Sequence, residues 1–444
     1  MNDSAIAVAE AAPEVGDDLD FGAFSHDLDE ATVLADLRER AWSRYGEIPF
    51  PSRKTEEWRY TDLSRIDFET YRPARPRAAA DEDLPESVRA VLGRSGDRSA
   101  VIVQRNGRIV HEELDADLAA RGVVLCSLER AAREHPELFA RTLASAAPTP
   151  MEEKIWTLHV AFLTGGYFLY VPKDVRIDSP IHCFRIIDEP RSLVSTHSVV
   201  LAEQGSSVSV IDEFVSDDLD AISLHGALVE GGDNAVVDYV SLQRYGRGVK
   251  HFSIQHATAR RDTRLGTFNV QLGADLARAD VSSRLLGQGC DSQMLALWLG
   301  DDEQHFDHHT LQHHAEPSAR SDLLFKGALS GGASSVFRGL IRVDRGAQLT
   351  DAYQTNRNLL LSEDANAITL PSLEIEADDV RCSHGATIGQ VDETQRFYLM
   401  SRGLTREAAE RLLVLGFFGE VLGRLPMEGV RARVLEAIEA KTAS

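Results

Sequence analysis

Five imidazoles crowd one short run of this chain, EQHFDHHTLQHHAEP: His305, His308, His309, His313 and His314. Imidazoles beside a carboxylate are a ligand set for a transition metal. On a strand, side chains alternate, so His305, His309 and His313 share a face with Asp307 and Leu311, while His308 and His314 take the other. Residues four apart on a strand lie too far apart to hold one ion, so a polar ladder on a sheet face is the plainer reading. Cys382 and His384 form a second group. Two positions apart on a strand, they leave the same face, roughly 6.5–7 Å apart along the backbone. A thiolate beside an imidazole is half a site for iron, zinc or copper, and further ligands, from this chain or a second one, are needed to close it. A buried cysteine beside a hydrogen-bonded histidine fits the same local pattern. Cys126, Cys183 and Cys290 stand alone on apolar stretches or at a corner, where cysteine acts as a small packing residue.

The familiar catalytic spacings are missing. There is no G-x-x-x-x-G-K-S/T run, no G-x-S-x-G, no H-E-x-x-H, and no G-x-G-x-x-G between a strand and a helix. With 444 residues the chain is long enough for two or three domains. Its net charge of −23 opposes binding to nucleic acid or an anionic membrane. The four cysteines form no close pair, which fits a reducing cytoplasm. The start, MNDSAIAVAEAAPEVGDDLD, lacks the basic and apolar regions of a signal peptide, and no window of about 18 apolar residues spans a membrane.

The elements that must position these groups follow from periodicity. Residues 1–22 are small and acidic and are expected to be disordered. Residues 23–164 read as a helix-rich α+β domain. Its signals are a helix over Glu30–Tyr45, an Asn106-Gly107 hairpin, a strand at Val123–Cys126 and helices on either side of Pro136. The run PSRKTEEWRYTDLS, residues 51–64, reads locally as a short surface helix with Trp58 and Tyr60 as anchors, and 75–83 as a linker. From 165 to 390 the period drops to two, with corners at Gly205, Gly232, Asp262 and Gly289. Strand, corner, strand at this spacing predicts a coil of parallel β-helix. The stretch from Gly346 to Gly389 carries short strands at Asn358–Ser362, Leu370–Ile375 and Val380–Ser383. Residues 391–444 return to helix, with Thr405 as N-cap and a second helix over Met427–Ala440. The helix after Thr405 is apolar over well over half its circumference, more than one buried stripe needs. Capping the solenoid end and docking a partner are the two uses expected of it, with Gly416, Gly419 and Gly423 permitting close approach.

Four passages carry a wider resemblance: PSRKTEEWRYTDLS; KGALSGGASSVFRGLIRVDRGAQLTDAYQTNRNLLLS; LEIEADDVRCSHGATIG; and FYLMSRGL. Together they resemble the SufB/SufD family of iron–sulfur cluster assembly proteins, over residues from about 45 to about 425. The resemblance implies a mainly β fold, a right-handed parallel β-helix between an N-terminal α+β domain and a C-terminal helical domain. It implies a non-enzymatic subunit that pairs with a SufB-like chain and docks a SufC-like ABC ATPase, or forms a homodimer when isolated. QTNRNLLLSEDA and CSHGATIG are similar to the SufD side of the family. There, SufB carries an essential cysteine where this chain has Asn356 and a glutamate where it has Gly385. His384 matches the family histidine at the SufB–SufD contact, which implies a metal-facing role for His384, and a lesser one for Cys382, toward a transient iron–sulfur cluster or iron. No cofactor is implied to stay bound to the chain alone. The ATPase-docking region falls on Leu413, Phe417, Phe418 and Val421. A reading from a different class is a stand-alone β-helix enzyme acting on carbohydrate or an acyl donor, but no in-phase carboxylate pair recurs on neighbouring coils.

Overall fold

The computed structural model describes residues 19–26, 28, 31–74, 88–89, 98–145, 153–425 and 427–443. The expected linker at 75–83 lies outside them, as does most of the expected disordered start, although α1 (Phe21–His26) already begins within it. Helix α2 (Thr32–Glu47) lies close to the expected span, and a short strand, β1 (Arg72–Pro73), follows. The Asn-Gly signal forms its hairpin as β2 (Ala100–Arg105) and β3 (Arg108–Leu114). Asn106 and Gly107 take φ of 48° and 88°, the left-handed pair that a type I′ turn requires. Helix α3 (Ala116–Ala120), β4 (Val124–Ser127), α4 (Leu128–Glu134), α5 (Pro136–Ser145) and α6 (Glu153–Ala161) complete this region.

The chain then winds into a parallel β-solenoid of about eight turns, two strands to a turn. One sheet takes the odd strands, from β5 (Leu163–Val171) to β19 (Asn366–Ile375), and the other the even strands, from β6 (Ile181–Ile186) to β20 (Arg381–Gln390). Five others recur below: β14 (Asp291–Gly300), β15 (His305–His314), β16 (Arg320–Leu329), β17 (Ser334–Val343) and β18 (Asp351–Leu360). Val208, Val237, Leu265, Ser292, Ser321, Ala352 and Cys382 stand in one register column, so a turn takes 27 to 31 residues. One corner is left-handed at every turn, at Asp174, Gly205, Asn234, Asp262, Gly289, Ser318 and Leu349. Each of these residues donates its N–H to a carbonyl of the following turn, for example Gly205 to Asp233 and Asp262 to Gln288. The expected corners at Gly205, Asp262 and Gly289 belong to this column. The remaining one falls at Asn234 rather than Gly232, because asparagine also tolerates the left-handed region.

The two solenoid ends are built differently. At the first turn, β2 pairs parallel with β6 and β4 pairs antiparallel with β5, so the N-terminal region extends both sheets and closes that end. At the last turn, β19 and β20 each keep one unpaired edge, which is a template for another chain.

The C-terminal helices α7 (Glu393–Ser401), α8 (Arg406–Gly423) and α9 (Glu428–Ala443) do not cap that open end. Helices α8 and α9 lie along the outer face of the even-strand sheet, where Val414, Phe418, Val421, Val430, Val434 and Ile438 cover Leu242, Val270, Leu295, Leu297 and Leu324. Those outward-facing aliphatics need cover more than the rim of a polar last turn does. Thr405 caps α8 as expected, accepting from the Ala408 N–H at 3.2 Å. Among the described residues, no helix is long and apolar enough to cross a membrane.

Candidate functional site

Register fixes which way the last strand faces. His384 continues the column of Tyr239, Thr267, Met294, Leu323 and Gln354, and Cys382 continues that of Ser321 and Ala352. In the turns below, these columns point into the solenoid and are buried. Gln354 shows the direction plainly: a Cβ on Gly339, in the facing sheet, would stand 2.5 Å from its amide. His384 therefore faces the lumen and is exposed only because no further turn covers it. Cys382 is half-buried beside Ile341, Ala352 and Leu373, and burial pushes its thiol pKa up. The two side chains leave one face, as their spacing predicts.

In the turn beneath, amides are among the inward side chains. Gln354 and Asn356 are fully buried. Asn356 donates to the Phe325 carbonyl at 3.2 Å and accepts from Asn358 at 2.8 Å. Strands β18, β19 and β20 are longer than their apolar segments suggest, since inward amides such as these extend the ladder without apolar side chains. At the rim, Ile375 and Ile388, on inward columns like His384, are exposed. The arrangement is an imidazole and a thiol on the inner face of a strand with one unpaired edge, with Ile375 and Ile388 on the same rim. It suits a ligand that a second chain would help to enclose.

The histidine-rich strand divides between its faces as alternation requires. His308 and His314 point inward, stacked on Trp298 and bonded to Ser321 respectively. Burial pushes His308 down to about 3 and His314 to about 4. His305, His309, Asp307 and His313 point outward, and His305 and Asp307 lie beneath PSRKTEEWRYTDLS, both bonded to Thr61. That run forms only one turn of 3₁₀ helix, Glu56–Trp58. It works as a strap. The Thr61 hydroxyl donates to Asp307 at 2.5 Å, and Trp58 lies over Arg278, 3.8 Å from guanidinium carbon to ring centroid. Arg278 in turn donates to Asp280, to Asp307 at 2.8 Å and to the Glu57 carbonyl at 3.1 Å. Among the described residues, no group of three or more His, Cys, Asp or Glu side chains is arranged to hold a metal. Cys126, Cys183 and Cys290 are all buried.

The apolar helix is divided too. Phe418 and Val421 are consumed by packing on the sheet, whereas Leu413 and Phe417 stay half-buried and Leu412 is exposed. Gly416, Gly419 and Gly423 have open space where a Cβ would be, so none of them serves close approach within the chain. Sequence reasoning missed the apolar surface of α7, where Phe397, Tyr398 and Met400 are exposed. Its signal is the FYLM cluster, which entered only as part of the resemblance carried by FYLMSRGL. Lys326 on β16 ties α8 to the solenoid, donating to the Phe417 carbonyl at 3.0 Å and pairing with Glu420 at 2.7 Å. Arg424 bonds Asp322 at 2.8 Å.

Comparison with known proteins adds a second line. Residues 184–417 match the family model described as SUF system FeS cluster assembly, SufBD core domain, and residues 25–183 match the SufBD protein N-terminal region. The chain is 30% identical over 421 residues to the iron-sulfur cluster assembly protein SufD of Bacillus subtilis, covering 94% of this chain and 96% of that one. It is 28% identical over 429 residues to an iron-sulfur cluster assembly SufBD family protein of Synechocystis, covering 93% and 92%. A SufBD family protein of Staphylococcus epidermidis is 26% identical over 413 residues, covering 90% and 87%.

Proposed function

Because the chain belongs to the SufBD family of iron–sulfur cluster assembly proteins, we propose that it is a SufD-like, non-catalytic scaffold subunit. Its open solenoid end pairs with a SufB-type chain, and its C-terminal helices dock a SufC-type ABC ATPase. The iron–sulfur cluster is cargo, held for a time at the joint between two solenoids. His384 offers an imidazole nitrogen to iron there, and Cys382 is the secondary ligand. The observation that carries this reading is the lumen-facing His384 on an uncovered last strand. Iron of this kind takes both thiolate and imidazole ligands, and a second solenoid would supply the rest of the set.

The docking face comprises the outer parts of α7 and α8, with Leu412, Leu413, Phe417, Phe397, Tyr398 and Met400 exposed or half-buried on it. Phe418 and Val421 support that face from below. ATP-driven movement of the docked ATPase would reach the site by a short path. Glu420 pairs with Lys326 on β16 and with Arg357 on β18, the strand next to His384.

Purification of the chain from its native cell tests the partners. A SufB-like chain and an ABC ATPase should travel with it, and recovery of a homodimer alone would overturn the pairing. In the reconstituted complex, His384→Ala should keep the fold and lose cluster formation. An undiminished cluster yield would remove His384 from the site.

A further inference from the structure

Directly inward of His384 in the same register column lies Gln354, a fully buried side chain whose amide nitrogen and oxygen both lack a partner. Buried polar groups are nearly always hydrogen-bonded, and an amide left dry costs about 1–3 kcal/mol. The surroundings narrow the choice of partner. The next residue inward in the column is Leu323, which offers nothing polar. Across the lumen the amide lies against Gly339, and above that glycine stands Pro371, which has no N–H. Thr310, one turn deeper, and Thr369, on the facing edge strand, make no hydrogen bond to the amide, and Gln312 spends its N–H groups on Ser321 and the Tyr353 carbonyl. Asn356 is already engaged with Phe325 and Asn358. Toward the open end the neighbour in the column is His384, one strand spacing of about 4.8 Å away.

We infer that Gln354 is the positioning residue for His384. Its side-chain carbonyl accepts from a single ordered water, which in turn accepts the proton of one ring nitrogen. A ligating histidine is commonly held this way, because the donated N–H fixes the tautomer and leaves the other nitrogen's lone pair free. Here that lone pair is directed out of the open end. Gly339 is part of the device: any side chain there would take the space in which the amide lies. The assignment builds on the proposed role of His384, but its test does not use cluster formation.

The test is solution NMR on the full chain with 15N-labelled histidine, at a pH where the imidazole is neutral. Two-bond proton–nitrogen spectra then report the tautomer, and the His384 signal is identified by its loss in His384→Asn. Wild-type protein should show one tautomer for His384. Gln354→Leu should return the mixture of an unrestrained imidazole, and Gln354→Glu, which keeps an acceptor, should restore the single form. A mixture in wild-type protein would overturn the assignment without recourse to any variant, as would a single tautomer that survives Gln354→Leu. If Gln354→Leu does not fold, the wild-type and Gln354→Glu spectra still decide it. A single tautomer in wild-type protein whose His384→Ala variant still builds clusters would leave Gln354 as the mount of His384 and refute only the proposed function.

Discussion

Replacing Arg278 by methionine should destabilise the chain by about 3–5 kcal/mol near neutral pH, because it strips a buried ion pair of its cation. The guanidinium is 1% exposed, and Asp307 is 1% exposed beside it. Methionine keeps most of the stem under Trp58 but forfeits the cation–π contact, which contributes about 2 kcal/mol at a desolvated site. Asp307 retains the Thr61 hydroxyl and His309, at 3.1 Å, so the loss should fall at the lower end of the range. The pH dependence gives the mechanism. Burial would raise the Asp307 pKa, but His309 and Arg278 outweigh it and hold the carboxyl far below the usual carboxylate range. A depressed folded-state pKa contributes stability that is present above the unfolded value and lost only as pH falls toward the folded one. Wild-type stability from this group is therefore flat between pH 7.5 and pH 5. Without Arg278, burial of Asp307 is opposed only by the neighbouring imidazoles and Thr61, so its pKa moves up from the wild-type position and acidification relieves part of the variant's penalty. Urea unfolding followed by circular dichroism at both pH values should show the wild-type–variant gap narrowing at pH 5. A gap below about 1 kcal/mol at pH 7.5, the worth of an exposed pair, or one that does not change with pH, would refute the account of the strap.

Leu349 holds φ of 60° at an exposed corner. Leu349→Asn should stabilise by up to about 1 kcal/mol by relieving a left-handed conformation that asparagine tolerates, and a lowered unfolding midpoint would contradict this. Phe418→Ala should cost about 3–5 kcal/mol by opening a cavity between α8 and the sheet. Phe417→Asp should leave the unfolding midpoint near wild type yet release the ATPase in pull-down, and retention would count against the docking face. Cys382 is the one cysteine not fully buried, so iodoacetamide should label it before the other three, faster as pH rises toward its elevated pKa. A bound SufB-type partner should protect it, and equal labelling with and without the partner would place the contact elsewhere.

Much of the solenoid was legible because alternation and corner chemistry are local. The two faces of the histidine-rich strand follow from counting by twos, and the corners at Gly205, Asp262 and Gly289 follow from residue type. The shared face of Cys382 and His384 was equally readable. That this face is the lumen was not, since it depends on the turns beneath and on there being no turn above. That Gln354, Asn356 and Asn358 are buried in the lumen was not legible, because hydropathy treats buried amides as surface. Trp58 read as an anchor on an exposed helix, because its partner Arg278 lies far along the chain. The excess apolarity of the helix after Thr405 correctly signalled extra contact. Pattern alone does not say whether an apolar face meets an end, a flank or another protein, and here a flank takes Phe418 and Val421.

The difference between the two solenoid ends also sets an order in time. The closed end is made from the residues synthesised first, and each later turn can add only to the edge left by the one before. A nascent chain can thus wind in the direction of its synthesis, with the hairpin β2–β3 and strand β4 as its starting template. The edge carrying His384 is then the last to form, and it becomes complete only when the whole ladder beneath it exists. A truncated or stalled chain would present a different edge, with other side chains on its inner columns. Recognition of β20 by a partner would therefore also inspect whether the subunit has been finished.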